Sequence, residues 1–302
     1  MRTATCTSSC LQQTMLQMKQ QVEQQLQQQL PATAAWPSKL HEAMRYSVLS
    51  GGKRVRPVLC LLACEALGGR WQDLLLPAAA LELVHVQSLI LDDLPPLDND
   101  TLRRGQPACH IAFGESTAIL AAHALHSLAF AWAAQQQPPA PHAAAAYVQQ
   151  LALASGHQGI SAGELEDLQC EGQRPQLATL RRIHLHKTAA LICCAVCIGA
   201  MAAGADAVVL RAMHTYGTQL GLAFQIVDDV LDATSTAQQL GKSAGIDKQR
   251  NKMTYVSLYG VAGAKRQAEQ CVALAQQALQ QIATLRSDHL HTVAQQLLQR
   301  AY

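Results

Sequence analysis

Phe224-Gln225-Ile226-Val227-Asp228-Asp229-Val230-Leu231-Asp232 places four polar side chains in a run that is otherwise apolar. Gln225, Asp228, Asp229 and Asp232 stand at i, i+3, i+4 and i+7, so on a helix they form one stripe, whereas on a strand they would scatter over both faces. The stretch therefore reads as a helix. Three carboxylates on one face repel one another, and burying them unpaired costs several kcal/mol, so something cationic must lie opposite. Hard carboxylate oxygens with room for water suit magnesium.

The same helical period extends along the chain. Thr14–Leu30 carries Met15, Met18, Val22, Leu26 and Leu30 three or four apart in a Gln-rich setting. Pro57–Leu67, Leu75–Leu94, Ser116–Gln137, Pro141–Ser155, Ala178–Ala203, Asp206–Thr234 and Ala262–Leu285 also predict helices, with a short last one from His289. No run of β-branched residues alternates with polar ones. The Pro-rich break at residues 136–141 and the segment Thr234–Lys242 separate similar helices, so they read as loops within one all-α domain over residues 14–302. Residues 1–13, small and polar, are expected to be a flexible N-terminus.

Charged residues make up only 15% of the 302 while AVILMFWYC make up 49%, so most of the chain should be packed rather than solvated. A net charge of +2 gives no sign of a polyanion-binding surface such as one for nucleic acid. The short cluster Lys53-Arg54-Val55-Arg56 suits a compact anion instead. Ten cysteines fall short of a disulfide scaffold. Cys194 and Cys197 form a CxxC inside the apolar run Ala189–Ala205 and read as packing thiols. That run is rich in Ala, Cys and Gly rather than Leu and Phe, which suits close helix approach better than a membrane span. With no signal-peptide pattern at Met1–Cys6, a cytoplasmic setting is the expectation.

A second acidic string, Asp92-Asp93-Leu94-Pro95-Pro96-Leu97-Asp98, ends a predicted helix. Two prolines force the chain out of regular geometry, and only a bend can return Asp98 to the side of Asp92. His85, Ser88 and Leu89 share the face of Asp92, and Arg103-Arg104-Gly105 follows. Either acid string alone is commonly a solvated loop. Two of them, each in apolar helical context and each followed by basic residues, point to a site.

At this point the sequence resembles the trans-isoprenyl diphosphate synthases, and most closely the bacterial farnesyl diphosphate synthases (geranyltranstransferases). The matching strings stand in order: Gly51–Pro57, His85–Gly105, His186-Lys187-Thr188, Phe224–Asp232, Gly241-Lys242 with Asp247, and Lys252-Met253-Thr254-Tyr255. The resemblance implies an isoprenoid-synthase bundle of about ten or more helices around a central substrate cavity. It implies that isopentenyl diphosphate attacks an allylic cation left when dimethylallyl or geranyl diphosphate loses pyrophosphate. Asp92, Asp93, Asp98, Asp228, Asp229 and Asp232 would hold about three magnesium ions bridging the leaving group. Arg103, Lys187, Lys242 and Lys252 would contact its oxygens. Lys53, Arg56, His85 and Arg104 would bind isopentenyl diphosphate, Thr188 and Gln225 would face the cation with oxygen dipoles, and Phe224 would wall the isopentenyl side.

Departures from the pattern limit what carries over. Leu91 stands where His is usual, Thr101 where a further Asp is, His123 where Asp is, and Glu164 where Gln is; His123 and Glu164 could compensate each other in charge. The Pro95-Pro96 spacing resembles the farnesyl type. Below Asp92, however, Gln87 and Ser88 replace the usual bulky aromatic, and with Val84 they become the residues that set product length. A geranylgeranyl product therefore stays open, as does a catalytically silent partner subunit; a terpene cyclase would not be expected to keep Gly51–Pro57 and Lys252–Tyr255. By resemblance the chain pairs as a homodimer, with Ser116–Ala134 a candidate interface.

Overall fold

The computed structural model describes residues 4–135, 143–174, 176–234 and 252–300. The first helix, α1 (Ala4–Gln29), turns Leu11, Met18, Val22 and Leu26 inward, all fully buried. It begins at Ala4, ahead of the Thr14 start read from the sequence. Leu11 extends the apolar period one further step toward the N-terminus, beneath a surface of glutamines.

Two helices longer than ten residues were not anticipated. In α2 (Ser38–Leu49) only Ala43, Met44 and Val48 are buried, too sparse a set to stand out between Pro37 and Gly51. The next elements, α3 (Val55–Ala66), a 3₁₀ turn (Trp71–Leu74) and α4 (Leu75–Asp92), supply the centre. Both helices are apolar nearly all round and accordingly lie inside the bundle. A small antiparallel hairpin, β1 (Leu102–Arg103) and β2 (Gln106–Pro107), turns through Arg104 and Gly105, both at positive φ (53° and 76°). Such two-residue turns require that conformation at both positions. Then follow α5 (Cys109–Phe113), α6 (Glu115–Ala134), α7 (Ala143–Ser155) and the second unanticipated helix, α8 (Ile160–Cys170), whose flanking Gly159 and interior Gly163 hide it in sequence.

The long apolar stretch predicted as one helix is three pieces: α9 (Leu177–His184), a π-helical turn (Leu185–Ala189) and α10 (Ala190–Ala202). The bundle closes with α11 (Ala207–Thr234), α12 (Tyr255–Gln280) and α13 (His289–Gln299). A reciprocal Thr254–Ser257 capping box starts α12, satisfying donors that a helix N-terminus otherwise leaves open.

The principal packings are α11 on α12, α4 on α6, and α10 on both α3 and α11. Small residues make the last two possible. A Cβ on Gly217 would stand 2.8 Å from the Cys193 Cα, and one on Gly199 2.1 Å from the Cys60 carbonyl oxygen. Leu191 to Ala200 are all buried, Cys194 and Cys197 among them, as packing thiols. By length and composition Trp71–Asp92, Glu115–Ala134 and Leu177–Ala202 could each cross a membrane. In the bundle, 67%, 39% and 67% of their most apolar windows are buried against protein.

Candidate active site

The end of α4 is where the first acid string leaves helical geometry. The Asp98 amide donates to the Asp92 carbonyl at 2.8 Å and the Asn99 amide to the Leu94 carbonyl at 3.0 Å, so the Pro95-Pro96 loop folds back as the prolines require. Asp98 thereby stands beside Asp92. The acid stripe of α11 faces this turn across a cavity of about 230 Å³ lined by Asp92, Asp98, Asp100, Asp167, Asp228, Asp229 and Asp232. Lys187, Lys252, Arg103, Thr188 and Gln225 complete its wall. Residues from the two ends of the chain meet here: Lys252 Nζ lies 3.2 Å from Asp98 Oδ1 and 3.8 Å from Asp167 Oδ2.

Neighbouring carboxylates in each string have different surroundings. Asp93, only 2% exposed, does not line this cavity but is held by Arg103, whose Nε donates to Oδ1 at 3.0 Å. Burial pushes its carboxyl up against the opposing pull of that guanidinium. Asp229 accepts from Gln225 Nε2 at 3.1 Å and from the Tyr255 amide at 2.9 Å, which anchors α12 to α11. Asp228 meets Arg300 Nη2 at 3.4 Å, and that guanidinium also lies 5.2 Å over the Phe224 ring. The imidazole of His184 is 3.9 Å from Asp229, but burial pulls it down to about 4, so it is neutral.

The π turn carries Lys187 and Thr188, and such turns recur where a helix must redirect side chains. Gly163 of α8 lets the turn come close, since a Cβ there would stand 2.2 Å from the Lys187 amide nitrogen. Thr188 Oγ1 donates to Gln225 Oε1 at 2.7 Å. Lys187 Nζ lies 2.8 Å from both Glu164 Oε2 and Asp167 Oδ2. Burial works against its charge, but Asp92, Asp167 and Glu164 outweigh it and hold the ammonium protonated.

A second chamber of about 570 Å³ adjoins the first and shares Asp92, Lys187, Thr188, Gln225 and Asp228 with it. Lys53, Arg56, His85, Arg104, Ser88 and Phe224 line the remainder. Burial and four surrounding arginines (Arg56, Arg104, Arg103, Arg54) push His85 well below its usual range, leaving a neutral ring beside those guanidinium groups. Among the described residues the buried Arg56 Nε has no hydrogen-bond partner. An orphaned guanidinium donor is costly unless an anion takes it, and the two cavities together offer cationic subsites for two polyanions. Arg54 also borders the chamber, but its guanidinium is engaged: its Nη1 donates to Glu82 at 2.7 Å and its Nη2 to the Val48 carbonyl at 2.8 Å, which pins the basic loop to α4.

Of the residues expected to set product length, Ser88 lines the chamber one turn below Asp92, Val84 is fully buried a further turn down, and Gln87 is half-buried. Lys242, with Gly241 and Asp247, lies outside the described residues. His123 is exposed on α6 while Glu164 pairs with Lys187, so charge compensation between them has no support. Sequence reasoning missed Asp167, Asp100 and Arg300. Asp167 had a signal, because it stands three residues after Glu164 and so shares its helix face; Arg300 had none.

The chain matches the polyprenyl synthetase family over residues 37–290. It is 43% identical over 246 residues to a chloroplastic geranylgeranyl pyrophosphate synthase of Capsicum annuum, covering 81% of this chain and 67% of that protein. The crystal structure of an FPP/GFPP synthase from Zymomonas mobilis superposes with a TM-score of 0.82 at 34% identity, over 96% of this chain and 99% of that one. A geranyltransferase from Helicobacter pylori, crystallised with magnesium and isoprenyl diphosphate, superposes with a TM-score of 0.82 at 28% identity, over 94% and 95%. With a family match across most of its length and the same all-α fold throughout, the chain belongs to the polyprenyl synthetase family, the trans-prenyltransferases that act on isoprenyl diphosphates.

Proposed function

We propose that the chain is a magnesium-dependent short-chain prenyl diphosphate synthase that condenses isopentenyl diphosphate with dimethylallyl or geranyl diphosphate. The observation that carries this reading is the pair of acid strings facing one cavity, with a separate arginine-rich chamber beside it. Among the described residues no three metal-ligating side chains already converge as a cage. That arrangement fits Mg²⁺, which keeps several waters and takes one or two carboxylates together with phosphate oxygens. Asp92, Asp98, Asp228 and Asp232 would hold it, and its charge would stabilise the departing pyrophosphate.

The protein's own groups account for the rest. Lys187, Lys252 and Arg103 receive the allylic diphosphate oxygens. Arg56, Lys53 and Arg104 bind the diphosphate of the nucleophile, to which neutral His85 can still donate one N–H. The linked hydroxyl and amide of Thr188 and Gln225 present oxygen dipoles between the two subsites, where positive charge develops when the allylic bond ionises. The proton lost after carbon–carbon bond formation passes to the leaving pyrophosphate, so the protein supplies no base. Bundle walls exclude the water that would quench the cation.

Farnesyl diphosphate is the product expected from the Pro95-Pro96 spacing. A twenty-carbon product is favoured by Ser88, a small side chain where the tail descends, and agrees with the geranylgeranyl synthase among the relatives. Exposed Ile119 and Leu120 on α6 suit pairing with a second copy, and a cytoplasmic homodimer without membrane-crossing helices is part of the proposal. The test is incubation with labelled isopentenyl diphosphate and each allylic starter, with and without Mg²⁺, followed by product sizing. Elongation in Mg²⁺ that stops with EDTA is expected; no elongation under any condition would refute the synthase. In the same assay Ser88→Phe should shorten the main product by one five-carbon unit, and an unchanged product would remove Ser88 from the tail's path.

A further inference from the structure

Lys187 Nζ contacts both oxygens of Glu164, at 2.8 and 3.0 Å, as well as Asp167. Lys252 lies against Asp98 and, more distantly, the same Asp167. Two ammonium groups therefore meet three carboxylates before any substrate arrives. The carboxylates lie on different walls: Asp98 and Asp167 line the acid cavity, Glu164 the larger chamber. Gly163, beside Glu164, lets the two backbones approach closely, a Cβ there standing 2.2 Å from the Lys187 amide nitrogen, so the packing itself sets Glu164 next to Lys187.

We infer that Glu164 is a counter-ion that holds Lys187 when no diphosphate is bound and competes with the incoming allylic diphosphate for it. It is a positioning residue, acting through Lys187, and it sets affinity for the allylic substrate rather than the rate of ionisation. This rests on the reading of Lys187 as a diphosphate contact. The groups facing Glu164 are Lys187 from the π turn, Asp92 from α4 and Asp167 from its own helix. Burial pushes its carboxyl up to about 7 although Lys187 pulls it down, and the two acids add to the rise. An ionised Glu164 is thus already poorly accommodated, and surrendering Lys187 to a phosphate oxygen leaves it worse placed. A glutamine at this position would keep the shape and remove the competition.

The experiment compares Glu164→Gln, Glu164→Asp and Lys187→Gln with the parent enzyme, measuring KM for the allylic substrate, KM for isopentenyl diphosphate, kcat, and calorimetric binding of inorganic pyrophosphate without metal. Glu164→Gln should lower the allylic KM and the pyrophosphate Kd roughly three- to tenfold, the range expected for one part-buried charge contact. It should leave kcat within about twofold and isopentenyl diphosphate KM unchanged. Glu164→Asp, which keeps the charge, should behave like the parent. If Lys187→Gln leaves allylic KM unaltered, the reading of Lys187 fails. If Lys187→Gln raises it while Glu164→Gln leaves it unchanged or raises it, or if the aspartate and glutamine variants behave alike, the inference about Glu164 is overturned.

Discussion

Replacing Asp228 with asparagine should lower kcat by about three orders of magnitude, the scale on which a group that stabilises developing leaving-group charge contributes. Asparagine keeps the volume and one oxygen but loses the charge that would bind metal. The side chain is 38% exposed and its contact with Arg300 is long, so the fold should be unaffected. Circular dichroism matching the parent, together with the kinetic loss at saturating Mg²⁺, is the expected pair of results. A loss under tenfold would mean that the α11 stripe does not carry the metal.

The largest effect on stability should come from Arg54→Met. Arg54 and Glu82 are each about 2% exposed at the side chain and 2.7 Å apart, and the one further ion pair of Glu82 among the described residues, to Arg104, is longer at 3.8 Å. Breaking a buried pair by removing one partner costs about 3–5 kcal/mol, because the remaining charge is left uncompensated. Urea unfolding should register that loss. Arg54→Met with Glu82→Leu should recover most of it, since an apolar pair of similar volume is often as stable as the ions. If the double variant is no more stable than the single one, the cost lies in the loop conformation around Arg54, whose φ is 52°, and not in the stranded carboxylate.

The acid stripe of α11 and the fold-back at Pro95-Pro96 were legible because each follows from a local rule, helical spacing in one case and proline geometry in the other. Division of labour within each acid pair was not. Adjacent residues on a helix point about 100° apart, and spacing alone does not say that Asp93 turns from the cavity, or that Asp229, which lines it with Asp228, is also held by Gln225 and Tyr255. That depends on Arg103 arriving from a hairpin and Tyr255 from the start of α12, both tertiary events. Arg54 illustrates the same gap. It borders the chamber with Lys53 and Arg56, yet its guanidinium is buried against Glu82 from a backbone in the left-handed region. The missed helices α2 and α8 failed for a different reason: each buries so few apolar side chains that the period drowns among polar ones and glycines.

The π turn at Leu185–Ala189 makes the span from Leu177 to Ala202 two reading frames spliced together rather than a single one. One additional residue in the turn advances every later side chain by about 100° relative to those before it. A helical wheel drawn through the whole span therefore superimposes two stripes and shows neither. Loss of a single residue at the splice would leave a regular α-helix that either half could accept, at the expense of the orientation that aims Lys187 and Thr188 at the cavity. Alignments that place a one-residue gap there would thus mark a change of chemistry more than a change of fold.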